Sequence, residues 1–326
     1  MSLTPEQLQH TRDTIDALRR EISKAVVGQA DVVDTALVAL LASGHILLEG
    51  VPGLGKTLLA RALGQSLSLD FARVQFTPDL MPSDITGHAV LDTQGLGGEL
   101  RLRRGPVFTH LLLADEINRA PAKTQSALLE VMQETQVTIE GQTLPLPRPF
   151  MVLATQNPID TEGTYPLPEA QRDRFLLKVD IDYPAAEQEV DVVMRATLEQ
   201  AGDALPLGAV QPLLSRDALL ELQSRATQVR VERDVADYAV RIARATREAP
   251  GLSQGAGPRG AIALIRVARA AALFDGRDFT IPDDVKRFAL PALRHRVMLA
   301  PDAQLDGRRV DDILQDLVER TDAPRS

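Results

Sequence analysis

The residues best suited to chemistry lie together in Gly50-Val51-Pro52-Gly53-Leu54-Gly55-Lys56-Thr57. The spacing G-x-x-x-x-G-K-T lets glycines bend backbone N–H groups around a phosphate. Lys56 would reach the β- and γ-phosphates of a nucleotide, and Thr57 would hold Mg²⁺ through its hydroxyl. The stretch follows the apolar run Ile46-Leu47-Leu48 and precedes Leu58-Leu59-Ala60-Arg61-Ala62-Leu63, a good helix. A strand before and a helix after are the context this spacing requires. Lys56 then sits at a helix N-terminus, where the dipole opposes a cation. A bound anion resolves that conflict. The bland alternative is a Gly/Pro turn that happens to carry Lys-Thr, and the two flanks argue against it.

Asp115-Glu116 closes a second apolar run, Leu111 to Ala114. Two carboxylates at the end of an internal strand are costly unless something positive meets them. Successive strand residues point to opposite sides, so Asp115 is assigned to the metal and Glu116 to the attacking water. A helix N-cap is the competing reading of Asp115, but Ala120-Pro121 is the better helix start. Asn157 ends a third run, Met151 to Ala154. In a parallel sheet the carboxyl ends of strands share one edge, which brings Asn157 near the phosphates to orient water. Alone it reads as an Asn-Pro turn. Arg259 follows Pro258 in the first turn of a helix, where positive charge is again disfavoured. A γ-phosphate contact accounts for it, and a solvated surface arginine is the alternative. Arg172 and Arg174 precede the last strand, where an arginine can complete a neighbouring subunit's site. A local pair with Asp173 or Asp180 competes with that reading.

These residues need a scaffold. Continuous apolar runs at 46–48, 111–114, 151–154 and 175–177 indicate strands buried on both faces, as in a parallel sheet covered by helices. Residues 71–76 alternate instead, with Arg73 and Gln75 polar, which places that strand at the sheet edge. Helical stretches near 56–67, 122–135 and 166–173 separate the strands. Two helices open the chain. The first has Thr4 as N-cap and Pro5 at its first position, and the second runs from near Asp31 to before Gly44. Beyond a hinge at Tyr183-Pro184, helices are expected near 186–200, 215–228, 232–248, 259–274, 282–290 and 308–320. The fold class is therefore a P-loop α/β core over 1–182 with a parallel sheet, plus a smaller all-α lid over 183–326. Glycine-bounded alternation at 87–105 suggests a hairpin interrupting a helix, and 136–146 reads as a second hairpin.

Composition narrows the classes. The 326 residues carry 36 basic and 45 acidic side chains, a net charge of −9, and 3% aromatics. That balance argues against a general nucleic-acid binder. The absence of cysteine excludes disulfides, thiolate catalysis and a Cys-based zinc site. No signal peptide and no apolar run long enough to span a membrane is read, so the expectation is a cytoplasmic protein.

The whole set resembles the AAA+ ATPases and, more narrowly, the MoxR family, over roughly Val27 to Val297. The carriers beside the phosphate loop are Val27-Gly28-Gln29, the stretch Gln75-Phe76-Thr77-Pro78-Asp79-Leu80-Met81-Pro82-Ser83-Asp84-Ile85-Thr86-Gly87, and Gly105-Pro106-Val107-Phe108. Ala114 to Ala120, Ala154 to Pro158, Tyr165 to Gln171 and Asp173-Arg174-Phe175 complete them. The resemblance implies that Gly28 and Gln29 lie near the adenine. It also implies that the loop from Gly50 through Val51, Pro52, Gly53, Leu54 and Gly55 to Lys56, Thr57 and Leu58 binds ATP with Mg²⁺. Lys56, Thr57, Asp115 and Glu116 match the Walker residues, Asn157 sensor 1, Arg259 sensor 2, and Arg174 the arginine finger. Arg172 departs from the family pattern, which leaves the choice between the two arginines open. The family implies a homo-oligomeric, hexameric ring, a von Willebrand factor A-domain partner, protein clients and hairpins facing pore or substrate. The expected activity is ATP hydrolysis driving chaperone-like remodelling, maturation or metal-cofactor insertion. A nucleic-acid motor or transcription activator, and a non-hydrolysing ATP-gated scaffold, are the alternatives.

Overall fold

The computed structural model describes residues 3–92, 99–158, 163–198, 205 and 207–324. Helix α1 (Pro5–Ser23) starts as its sequence predicts: the Gln7 N–H donates to the Thr4 hydroxyl, and the Thr4 N–H donates to the Gln7 side chain. This reciprocal cap satisfies two N–H groups the helix cannot bond internally. Helix α2 (Ala30–Leu41) leads into β1 (Ile46–Glu49). There follow α3 (Lys56–Ser66), β2 (Phe71–Gln75), α4 (Pro82–Thr86) and the antiparallel pair β3 (Gly87–Asp92) and β4 (Glu99–Arg104). Then come β5 (Leu111–Asp115), α5 (Ala122–Glu134), a second hairpin of β6 (Gln136–Ile139) and β7 (Gln142–Pro145), β8 (Met151–Gln156), α6 (Glu169–Arg172) and β9 (Leu177–Asp180).

Five strands form one parallel sheet in the order β2-β5-β8-β1-β9. The alternating strand β2 is at the edge, as its pattern predicts. Strand β1 lies between β8 and β9, so the carboxyl ends of β1, β5 and β8 converge although far apart in sequence. Ile46, Leu48, Leu111, Leu113 and Leu153 face one apolar cluster with α1, α2 and α3. Leu47, Leu112, Ala114, Val152 and Ala154 face a second cluster containing Leu128 and Leu129 of α5. Both faces are dry, which is why the runs read as continuously apolar.

The rest of the chain is mainly helical: α7 (Ala186–Leu198), α8 (Arg216–Gln228), α9 (Arg233–Ala245), α10 (Pro258–Phe274), α11 (Pro282–Arg287), α12 (Ala289–Leu293), α13 (Pro301–Leu305) and α14 (Val310–Arg320). A short antiparallel pair, β10 (Leu252–Gln254) and β11 (Met298–Leu299), lies among them; it is too short to leave a periodic signal. No helix among the described residues is long and apolar enough to cross a membrane.

Four expectations need correction. The last strand begins at Leu177, not Phe175. The buried guanidinium of Arg296 donates to the carbonyls of Phe175 (2.6 Å) and Leu176 (3.1 Å) and to Asp173 Oδ1 (2.7 Å). His295 Nε2 lies 3.0 Å from the Phe175 carbonyl, so these groups bond the lid and not a neighbouring strand. The helix expected over 166–173 shrinks to α6, because Pro166 and Pro168 force the residues before them away from helical geometry. The helix expected over 282–290 breaks at Phe288 (φ −110°, ψ 10°) into α11 and α12; Pro291, with no N–H, cannot bond back to Arg287. The hairpin at 87–105 follows α4, but the chain then turns at Gly105-Pro106 toward β5, and no helix resumes. Residues 93–98 of that stretch lie outside the described residues.

His45 is fully enclosed where α5 meets the sheet. Its Nδ1 accepts from the Val152 N–H (3.0 Å), and its Nε2 meets the Met132 carbonyl at 3.1 Å. That pairing demands the neutral ring with its proton on Nε2. Burial, opposed by the Met132 carbonyl and reinforced by Arg266, lowers its pKa from 6.5 to about 4. A depressed histidine means that the unfolded chain binds a proton the fold refuses. Its contribution is complete above pH 6.5 and is lost as pH falls toward 4. Over that window it amounts to about 3 kcal/mol. Urea unfolding of His45→Gln is expected to show a shallower rise of stability with pH between 4 and 6.5 than the parent; an identical slope contradicts this reading.

Candidate nucleotide-binding site

The loop after β1 has the form its glycines predict. Gly53 (φ 89°) and Gly55 (φ 74°) are left-handed, and a Cβ on either would meet nothing within 4 Å. Both glycines line the cleft described below, with open space on the side a Cβ would take. Gly50 serves differently: a Cβ would lie 2.7 Å from the Ile181 carbonyl, so only glycine allows the loop to pass β9. Helix α3 has Gly55 as its N-cap, with no side-chain cap and no acidic residue in its first turn. Its first N–H groups are left for an anion. Lys56 Nζ donates to the Gly50 carbonyl at 2.5 Å. Burial pushes the Lys56 pKa down, and Asp115, Glu116 and Glu49 pull it back up. The ammonium is thus partly desolvated within an acidic surround.

Asp115 ends β5, but Glu116 does not continue it. Glu116 adopts a left-handed conformation (φ 56°, ψ 50°) and opens a single 3₁₀ turn, Ile117–Arg119. The two carboxylates are therefore parted by a sharp turn and not by strand alternation as expected. The Glu116 N–H donates to Thr155 Oγ1 (2.9 Å), whose hydroxyl donates to Asp115 Oδ1 (2.5 Å). Thr155 on β8 thus fixes both. A strained backbone on a non-glycine residue costs about 1–3 kcal/mol and persists where the surroundings over-determine it.

A cleft of about 500 Å³ collects Gln29, Pro52 to Leu58, Asp115, Glu116 and Asn157. Ala25, Val26, Val27 and Val192 give it an apolar end. Gln29 Nε2 donates to the Leu54 carbonyl (2.9 Å), tying that end to the loop. Gly28, Gly50 and Val51 do not line it; Gly28 abuts Gln188 of α7, 2.9 Å from where a Cβ would stand. Arg172, Arg174 and Arg259 are also outside the lining. Arg259 Nη1 lies 3.7 Å from Asp173 Oδ2, while Asp173 Oδ1 is held by Arg296. The guanidinium of Arg259 is therefore beside the segment that carries Arg172 and Arg174.

Two polar lining residues, Arg73 and Gln75, have no role assigned from the sequence. Their signal was the polar alternation on β2. Gln75 Nε2 donates to Glu116 Oε2 (2.8 Å), and Arg119 Nε lies 3.2 Å from the same oxygen.

The donor set suits Mg²⁺. Thr57 and Asp115 both face the cleft, and Asp115 already carries a cation, the Arg73 guanidinium at 2.7 Å. Among the described residues no group of three His, Asp or Glu could cage a metal alone. Mg²⁺ needs none, since it keeps waters and takes phosphate oxygens beside one or two protein ligands.

The chain matches known proteins over most of its length. Residues 45–177 match the ATPase family associated with various cellular activities (AAA), and residues 244–317 match an AAA lid domain. Over 303 residues the chain is 44% identical to YeaC of Bacillus subtilis (strain 168), covering 93% of this chain and 92% of that protein. It is 46% identical over 302 residues to chaperone MoxR1 of Mycobacterium tuberculosis, covering 90% and 78%. A crystal structure from Cytophaga hutchinsonii ATCC 33406 superposes with a TM-score of 0.89 at 41% identity, covering 98% of each chain.

Proposed function

Because the chain belongs to the MoxR family of AAA+ ATPases, we propose that it hydrolyses ATP to ADP and phosphate to remodel or mature partner proteins in the cytoplasm. The observation that carries hydrolysis is the gathering of Lys56, Thr57, Asp115, Glu116 and Asn157 around one cleft that Gly53 and Gly55 also line. The N–H groups and Lys56 bind the phosphates; the apolar end by Val26, Val27 and Val192 takes the base. Thr57 and Asp115 hold Mg²⁺, which supplies charge stabilisation to the phosphoryl oxygens when bound. Glu116 orients and deprotonates water, and Asn157 helps to align it. Residues 1–182 form the nucleotide-binding core and 183–326 the lid. Arg259, outside this cleft and beside the segment that carries Arg172 and Arg174, is assigned to the γ-phosphate by family resemblance.

A single chain leaves Arg174 outside its own cleft, which fits a residue that serves a neighbour in a ring, six-membered by family precedent. The remodelling role, an A-domain partner and cofactor insertion rest on the name chaperone MoxR1 and on family resemblance.

Arg174→Ala is expected to keep nucleotide affinity within about threefold and to lose turnover by about 1,000-fold. Mixing it with Glu116→Gln tests the neighbour directly. Each variant is inactive alone, but Glu116→Gln subunits lend Arg174 to intact Arg174→Ala sites, so the mixture regains activity. Full turnover by Arg174→Ala alone removes it as the finger, and Arg172 then inherits the role.

A further inference from the structure

The metal carboxylate of the cleft is already engaged by a residue with no assigned role. Arg73 Nε and Nη2 both donate to Asp115 Oδ2, at 3.1 and 2.7 Å. The other carboxylate oxygen accepts the Thr155 hydroxyl. The same Nη2 donates to Gln75 Oε1 (2.8 Å), and the Gln75 amide reaches Glu116. Strand register explains the reach: Gln75 is opposite Asp115 and Arg73 opposite Leu113, so the long side chain leans two residues toward the carboxyl edge. Edge position explains its freedom. β2 has β5 as its one neighbour in the sheet, and the Arg73 side chain is 44% exposed.

We propose that Arg73 is a resident counter-cation for Asp115 which Mg²⁺ must displace, so that Arg73 sets the metal concentration at which the nucleotide site loads. This rests on the reading of Asp115 as a metal ligand. A guanidinium N–H fork occupies the lone pairs of Oδ2 that a metal would use at about 2.0–2.1 Å. Two cations cannot share them. Without Arg73, Asp115 Oδ2 would lose both guanidinium hydrogen bonds, and the offset to its charge in the empty site would fall to the field of Lys56. With it, the carboxylates are held in place and released when a divalent ion offers more charge at shorter range. Arg73 is thus a positioning residue. Its exposed side chain can swing into water once displaced, because a partly solvated ion pair is weak.

The test uses binding and not turnover. Affinity for a fluorescent ADP is measured on the full chain across free Mg²⁺ concentrations, from chelator to excess, for the parent, Arg73→Gln and Arg73→Lys. Removing the competitor is expected to lower the half-maximal Mg²⁺ concentration about fivefold in Arg73→Gln. Arg73→Lys keeps a charge but loses the fork, and its midpoint should fall between. An unchanged or higher midpoint in both variants overturns the proposal. So does an equal loss of affinity with and without Mg²⁺, which would make Arg73 a phosphate ligand. If Arg73→Gln does not fold, Arg73→Lys decides by the same two outcomes. Asp115→Asn separates the two levels: Mg²⁺ dependence that survives it undoes the metal assignment itself, while its disappearance leaves Arg73 to be judged by its own midpoint.

Discussion

Glu116→Gln should bind ATP with the parent's affinity and turn it over about 100- to 10,000-fold more slowly. The substitution keeps the shape of the side chain. Its carbonyl oxygen can still accept from Gln75 Nε2, the bond that holds Glu116 at 2.8 Å. What is lost is the negative charge that faces Arg119 and would draw a proton from water. The backbone turn at residue 116 is fixed by Thr155 and not by the side chain, so the geometry should survive. Steady-state hydrolysis and equilibrium nucleotide affinity, measured side by side, check this. Loss of both together would make Glu116 a binding residue; loss of neither would favour an ATP-gated scaffold. If the remodelling role is correct, the variant should also retain protein partners that the parent releases.

Lys56→Ala separates binding from stability. The ammonium sits at the N-terminus of α3, opposed by the helix dipole and partly desolvated by burial. Its removal should leave thermal stability without nucleotide unchanged or raised by a few tenths of a kcal/mol. Affinity for ATP should fall about 100-fold, the value of a charge-assisted contact to phosphate in a partly buried site. Differential scanning calorimetry and a binding titration test the two halves. A variant that loses affinity and stability in equal measure would mean that the lysine supports the loop through its bond to the Gly50 carbonyl and not through an anion.

Much of this was legible because the signals are local. The spacing from Gly50 to Thr57 announces its loop, and the apolar runs announce strands dry on both faces. Thr4 and Pro5 announce a helix start. The edge position of β2 followed from alternation alone. What could not be read depends on residues distant in sequence. Phe175 and Leu176 have the composition of a strand, yet Arg296, over 100 residues later, takes their carbonyls. The left-handed turn at Glu116 is imposed by Thr155 from another strand. Arg73 and Gln75 looked like the wet side of an edge strand, and only register brings them to the two carboxylates. Proline tells half its story: Pro5 marks a helix start, while the break at Phe288, three residues before Pro291, leaves no signal inside a helix-rich pattern.

Direct titration of the intact chain with labelled ATP and Mg²⁺ puts the greatest strain on the account. Saturable binding of one nucleotide per chain, displaced by unlabelled ATP, is the result expected of a glycine cradle backed by Lys56, Thr57 and Asp115. No saturable binding at millimolar ATP with Mg²⁺ in excess would mean that these residues are inherited geometry without a ligand, and the proposed hydrolysis would fall with them.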